Sequence, residues 1–370
     1  MPPKPSLKLS RAGLEDLRLN YNPEAPQKRF KAAGVEAALL SESERLPSMV
    51  PWPKATAPTP VPLKPAPKES ADLSQFKGYD AVVVTWTSAE AAALAALFTP
   101  GYPTLAWYEY RHNVQNYIPL VTGSQAPFND KQADMARYYH SLGLYFPCTI
   151  GNARVLLIKS GLHLDYDGPQ FPVRKLISEI VQTVQPKLFI TTGTGGAIGT
   201  QVKLGDLILA GHTRFDCTQQ FKSQPWAQTS YPTSPLPAGA LKAIVPALIK
   251  VNAARVVGGN PTPKMWSAPQ DTIVTTDFFG FDDSTDYYKL QGLGQCCDMG
   301  DAMVGNALQQ FPKLTWHAIR NASDPQIPNP ENNIEKAAAD STEIYSKDGV
   351  FTTAASVIAT WAVIQASFQS

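Results

Sequence analysis

The chain has 370 residues, 44% of them hydrophobic and 17% charged, with a formal net charge of +1. That length accommodates one large α/β domain with extras or two ordinary domains, and the balance is that of a soluble globular protein. A charge this close to zero leaves no electrostatic footprint for nucleic acid or an anionic membrane.

Residues 1–77 differ in texture from the rest. The start, MPPKPSLKLSRAGLEDLRL, has no apolar core of a secretory signal, so a cytoplasmic location is expected. RFKAAGVEAALLSESERL (29–46) has the composition of one short helix, and VPWPKATAPTPVPLKPAPKES (50–70) is too rich in proline for helix or central strand. The region reads as a proline-rich arm, either a mobile tail or a strap on the body or on a partner subunit. From Gly78 the pattern becomes regular. YDAVVVTW is a buried strand, and SAEAAALAALF a helix with Ser88 as its N-cap. Residues 106–150 are aromatic-rich and read as an insertion, with a helix near 130–142. ARVLLIKSG is a strand, PVRKLISEIVQTVQ an amphipathic helix, and KLFITTG and GDLILAG are strands. PAGALKAIVPALIKVNAA reads as helix, DTIVTTDFF and QCCDM as strands, GDAMVGNALQQF as helix, TWHAIRNAS as a strand and VFTTAASVIATWAVIQASF as a long apolar C-terminal helix. No run approaches the roughly 18 uninterrupted apolar residues of a membrane span. The alternation predicts a single three-layer α/β/α domain over 78–370 with a mixed, mostly buried central sheet.

PKLFITTGTGGAIGTQVKLGDLILAG (186–211) invites a dinucleotide or phosphate reading, and its spacing refuses both. Ile198 stands where the third glycine of G-x-G-x-x-G is required, and no Gly-Lys-Ser/Thr ending follows. The stretch reads as strand, glycine loop, strand, with backbone amides open to close approach. The cysteines, Cys148, Cys217, Cys296 and Cys297, have neither metal-ligand spacing nor a disulfide framework, and neither a metal nor a cofactor is expected. Cys296 and Cys297 read as small buried residues on a strand.

In open α/β sheets ligands bind at the carboxyl ends of strands. The residues collected there are Glu90, the Thr192–Gly196 stretch, Asp277 to Phe279, Asp298 to Asp301, and Arg320, Ser323 and Asp324. Aromatic surface, a methionine, glycines and separated carboxylates suit a flat, uncharged, partly polar ligand and acid–base chemistry.

TTGTGGAIGTQVKLGDLILA, IVTTDFF, CDMGDA and IRNASD occur in that order. Together they resemble the nucleoside phosphorylase superfamily, most closely its methylthioadenosine/S-adenosylhomocysteine nucleosidase branch, over about 79–365. The resemblance implies a nucleoside phosphorylase-like fold and N-glycosidic cleavage of a purine nucleoside or thionucleoside. It makes Asp324, in R-x-x-S-D with Ser323, the proton donor to the base, and Glu90 the group that activates water. It places Thr194, Gly195 and Gly196 beside sugar and base, Phe279 with its neighbour Phe278 on the base, and Met299 under the sugar. Where the family reads [ED]-M-E this chain reads Asp298-Met299-Gly300-Asp301. The ribose carboxylate is thus replaced by glycine, and Asp301 is the candidate substitute. Arg320 reads as an ion-pair partner. No arginine precedes the glycine run to clamp phosphate, so hydrolysis is expected over phosphorolysis. A phosphate-dependent phosphorylase and a decayed nucleoside-binding module stay open. The resemblance also implies a homo-oligomer, dimer or larger, and a small-molecule nucleoside as the partner.

Overall fold

The computed structural model describes residues 46–121, 141–164, 170–254, 260 and 262–368. In chain order the main elements are α1 (Leu46–Met49), β1 (Thr59–Pro60), β2 (Ala81–Thr85), α2 (Ser88–Phe98), β3 (Tyr108–Tyr110), β4 (Gly143–Ile150), β5 (Ala153–Ser160), α3 (Pro172–Val184) and β6 (Leu188–Ala197). They continue with β7 (Leu207–Leu209), β8 (His212–Asp216), β9 (Ser230–Pro232), α4 (Ala240–Ala254), β10 (Met265–Trp266), β11 (Thr272–Thr276), β12 (Cys296–Asp298), α5 (Asp301–Leu308), β13 (Thr315–Asp324) and α6 (Ile334–Phe368).

Strands rich in Val, Ile, Leu and Thr make one mixed sheet. The order β1-β4-β5-β2-β6-β12-β11-β8-β9 runs across it, and a branch goes from β6 through β13 and β7 to β10. Alternation along each strand sorts side chains into two cores. Val82, Val84, Leu156 and Ile158 pack with Leu176 and Ile180 of α3 and Met303 and Val304 of α5. Ala81, Val83, Val155 and Leu157 pack with Leu94 of α2, Ile244 of α4 and Val357 and Ile358 of α6. Both faces of the sheet are thus covered, which is the expected three-layer α/β/α arrangement.

Several details differ from the expectations. β4 lies inside the stretch read as an insertion, yet it is a core strand antiparallel to β5 along its whole length. Pro147 disguises it in the sequence, because proline removes a ladder donor. Among the described residues the partners beyond β4 are the short β1 and β3, so few donors are needed there. The expected helix over 130–142 falls mostly outside the described residues, as does the one over 29–46 apart from Leu46. The described part of the arm is a strap on its own body. Trp361 donates its indole N–H to the Thr56 carbonyl at 2.8 Å, and the Trp52 and Trp361 rings lie 4.9 Å apart. Leu46, Val50, Leu73 and Phe76 are buried. The apolar segment Lys347–Phe368 of α6 is long and apolar enough to cross a membrane, but 89% of an 18-residue window of it is buried inside the fold, which makes it a core helix. The α2 cap is Thr87, one residue before the expected Ser88.

Candidate active site

The glycine run is a strand and not a loop. β6 continues through Thr192, Gly193, Thr194, Gly195 and Gly196 to Ala197, and β13 runs parallel beside it from Leu188 to Gly196. With that edge occupied, β2 and β12 share the other. β2 runs parallel to β6 and covers Leu188 to Thr191. β12 arrives antiparallel and covers Gly196 and Ala197. The carboxyl ends of β2 and β12 therefore approach each other across the uncovered edge from Thr192 to Gly195. A gap where strand direction switches is where open α/β sheets take ligands, and the candidate residues gather around it.

Glu90 is fixed at one end. Thr87-Ser88-Ala89-Glu90 is a capping box: Glu90 N–H donates to Thr87 Oγ1, and Thr87 N–H donates back to Glu90 Oε2 at 2.9 Å. Oε2 also accepts from Trp86 N–H at 2.9 Å and Thr85 Oγ1 at 2.8 Å. Oε1 accepts from Thr194 N–H at 2.7 Å, Thr194 Oγ1 at 2.9 Å and Arg320 Nη1 at 3.3 Å. Burial pushes this carboxyl up, but the Arg320 charge and the N–H donors of Thr194, Thr87 and Trp86 outweigh it and hold Glu90 below the usual range. Gly193 is required here, since a Cβ on it would overlap the Glu90 carboxylate.

Arg320 is the hub, and it is buried. It grips Asp301 with two parallel bonds, Nε to Oδ2 and Nη2 to Oδ1, each 2.8 Å. It also reaches Asp298 Oδ2 at 3.1 Å and the Thr194 carbonyl at 3.2 Å. Asp298 accepts in addition from Thr275 Oγ1 at 2.5 Å and from the N–H groups of Gly300 and Asp301 at 3.2 and 2.9 Å. Three carboxylates on one guanidinium leave an excess of negative charge. Burial and the neighbouring Asp301 accordingly push Asp298 up to about 7. Arg320 is thus the ion-pair partner that the sequence suggested. Both oxygens of Asp301, expected on the sugar hydroxyls, are instead occupied by the guanidinium, and the residue is fully buried at the start of α5.

Asp324 stands at the other end, at the terminus of β13. Its Oδ1 accepts from Ser323 Oγ at 2.9 Å and its Oδ2 from Ser341 Oγ of α6 at 3.1 Å, while Ser323 Oγ also reaches the Gly195 carbonyl at 3.3 Å. No cation faces it. Burial outweighs the two hydroxyl bonds and pushes Asp324 up to about 6. A Cβ on Gly196 would come within 3.2 Å of Asp324 Oδ2, so glycine there lets the acid lie against the strand. Gly193 and Gly196 are three residues apart, which spaces the Glu90 and Asp324 ends by roughly 10 Å along β6.

The aromatic pair divides its roles. Phe278 is buried and stacks on Tyr288, ring centroids 4.7 Å apart. Phe279 is 46% exposed, with Phe281 as its ring neighbour at 6.5 Å. Its loop is clamped by Asp282, which accepts from Gly199 N–H at 2.7 Å and Gln326 Nε2 at 2.8 Å, and by Asp283, which accepts from Asn329 Nδ2 at 2.6 Å. Met299 is half-buried between β12 and α5. Trp86 was not singled out from the sequence. It follows β2 directly, is buried, stacks on Arg320 with the guanidinium 5.1 Å from its ring, and has an indole N–H without a hydrogen-bond partner among the described residues. Ser341 was also missed, because it sits in a polar turn of α6 with no local signal. The capping box at Thr87 was readable as T-x-x-E.

No family model matches the chain, and no curated protein matches it. Among solved structures it is similar to 5'-methylthioadenosine/S-adenosylhomocysteine nucleosidase from Helicobacter pylori, at 12% identity over 78% of this chain and 98% of that one, with a TM-score of 0.48. Futalosine hydrolase of Helicobacter pylori gives 12% identity, 78% and 97% coverage and a TM-score of 0.48. S-adenosylhomocysteine nucleosidase from Streptococcus pyogenes gives 13% identity, 78% and 97% coverage and a TM-score of 0.46. At these identities and TM-scores, function rests on the chemistry of the site itself.

Proposed function

We propose that this chain hydrolyses the N-glycosidic bond of a purine nucleoside or related thionucleoside. One observation carries the reading: two buried carboxyls that lie against one glycine-rich strand have affinities for protons pushed in opposite directions. Asp324 is raised to about 6 and Glu90 is lowered. A pair separated in this way assigns its own roles, acid and anion. Asp324 gives its proton to a ring nitrogen of the base as the bond from C1' to the base breaks and the bonding electrons leave with the base. Phe279 offers an exposed ring for the base to stack on. The sugar becomes an oxocarbenium ion at the Glu90 end of the strand. There the ionised Glu90 stabilises the positive charge; its two oxygens already accept from six donors, so water adds to C1' and loses its proton to solvent, from which Asp324 regains one for the next turnover.

Water is favoured over phosphate as the acceptor. Arg320, the cation at this site among the described residues, is already held by Glu90, Asp298 and Asp301. A phosphate would meet carboxylates and no free guanidinium. A second reading has its own support. The six donors on Glu90 are also what a purely architectural carboxylate would show, and then a nucleoside would bind without being cleaved. Incubating the protein with purine nucleosides and thionucleosides, with chromatography for free base, separates the two. Base release supports the hydrolase. Calorimetric binding with no base released from any of them supports the binding module.

A further inference from the structure

We propose that Tyr345 is a positioning residue for the cleavage, and that with Ser341 it makes α6 the element that holds acid and anion at their working separation; the inference rests on the nucleoside reading above. The two hydroxyls stand one turn apart on one face of α6. Ser341 Oγ donates to Asp324 Oδ2 at 3.1 Å. Tyr345 Oη lies 2.7 Å from Thr87 Oγ1. Thr87 is the residue that caps Glu90: its Oγ1 accepts the Glu90 N–H at 3.3 Å, and its own N–H donates to Glu90 Oε2 at 2.9 Å. One helix face therefore touches the acid directly and the anion through a single residue. Four residues advance a helix by about 6 Å, and a short and a long side chain at the two positions span the roughly 10 Å between the carboxyl ends.

The two carboxyls are not held alike. Glu90 is fixed by donors from β2, its own cap, β6 and Arg320. Among the described residues Asp324 is held by the hydroxyls of Ser323 and Ser341 alone, so its carboxyl follows α6. The far half of α6 is anchored away from the site, by Thr360 Oγ1 donating to Thr192 Oγ1 at 2.9 Å and by the Trp361 bond to Thr56. Near the site α6 meets α2 through small residues: a Cβ on Gly349 would lie 3.4 Å from both the Ala89 Cβ and the Tyr345 ring. The Tyr345–Thr87 bond is what registers this half of α6 against the Glu90 cap. Burial and then the Glu90 charge push the Tyr345 hydroxyl up, so it is neutral and acts by hydrogen bonding. Cys297, the other titratable group facing Asp324, is likewise pushed up by burial and by Asp324 itself, and is neutral. Asp324 works on the base while Glu90 works on the sugar of the same bond, so a slip of α6 misplaces one against the other. A misplacement of about 1 Å costs roughly a hundredfold in rate.

The test uses the full-length chain and whichever of adenosine and 5'-methylthioadenosine releases base faster. Base release is followed across pH, and thermal melting of each variant ensures that rates refer to folded protein. Tyr345→Phe keeps the ring and removes the hydroxyl. Its kcat should fall about ten- to a hundredfold with KM little changed, and its loss of activity above about pH 6 should stay where it is in wild type. Ser341→Ala removes a bond that lowers the proton affinity of Asp324, so it should move that loss to higher pH. Thr87→Val breaks the Tyr345 contact from the other side, and in its background Tyr345→Phe should cost no more than about twofold further. Wild-type kcat in folded Tyr345→Phe, an effect confined to KM or to melting temperature, or full additivity with Thr87→Val overturns the inference and leaves the cleavage reading intact. A displaced pH profile in Tyr345→Phe also overturns it, because the hydroxyl would then act on Asp324 itself. Should Tyr345→Phe not fold, Thr87→Val reads the same bond, and an unchanged kcat there overturns the inference. Failure of the wild type to release base from either nucleoside overturns inference and reading together.

Discussion

Asp324→Asn separates catalysis from stability in opposite directions. Asparagine keeps the shape and accepts from Ser323 as the carboxyl does, with its amide group turned to Ser341. It resembles the protonated acid but has no proton to give, so turnover should fall about 10²–10⁴-fold. Stability should move the other way. The folded pKa of Asp324 is about 6, against 3.8 for the same carboxyl free in water. The folded state thus holds the proton more tightly, and the carboxyl's contribution to folding is complete below the unfolded value and lost as pH rises through about 6. The difference of about two pKa units corresponds to roughly 3 kcal/mol at 1.36 kcal/mol per unit. The variant should match wild type near pH 4 and exceed it by up to that amount near pH 8. Urea unfolding at the two pH values, with base-release rates on the same preparations, is the assay. A stability difference independent of pH, or wild-type turnover in the variant, would refute the assignment of Asp324 as a buried acid poised by desolvation.

Other perturbations test the surrounding framework. Arg320→Gln leaves Glu90, Asp298 and Asp301 without their cation, and should cost about 3–5 kcal/mol in urea unfolding, with the loss easing at low pH as the carboxyls protonate. Phe278→Ala should cost roughly 3–5 kcal/mol of stability. Phe279→Ala should stay within about 0.5 kcal/mol yet weaken nucleoside binding by about 1–3 kcal/mol, the scale of base–aromatic stacking. Gly193→Ala drives a methyl group into the Glu90 carboxylate and to 2.7 Å from Arg320 Nη1. It should lower stability by about 1–3 kcal/mol and depress turnover beyond what the stability loss explains.

The layered fold was legible because its strands and helices carry clear periodicities: AVVVT, ARVLLIKS and the amphipathic Pro172–Val184 each announce their own geometry. β4 was not, since an aromatic strand containing Pro147 reads as irregular until its short-partnered edge is known. The glycine run misled in another way. Glycine signals a loop on its own, but here Gly193 and Gly196 are glycines in a strand because two carboxylates lie against it. Asp324 and Glu90 could be found from position after strands. Their opposite proton affinities could not, because these depend on the burial of Asp324 and on Thr194 and Arg320 reaching Glu90 from distant elements. Asp301 misled because adjacency in sequence suggested a substitute, whereas the start of α5 aims it at Arg320.

The most direct test of the account is the fate of the sugar. Purified protein is given a purine nucleoside in phosphate-free buffer and in buffer with phosphate, and free base, free sugar and sugar 1-phosphate are quantified together. Free base and free sugar should form in equal amounts, at the same rate in both buffers, with kcat/KM falling as pH rises above about 6. Strict dependence on phosphate with sugar 1-phosphate as the product would contradict it.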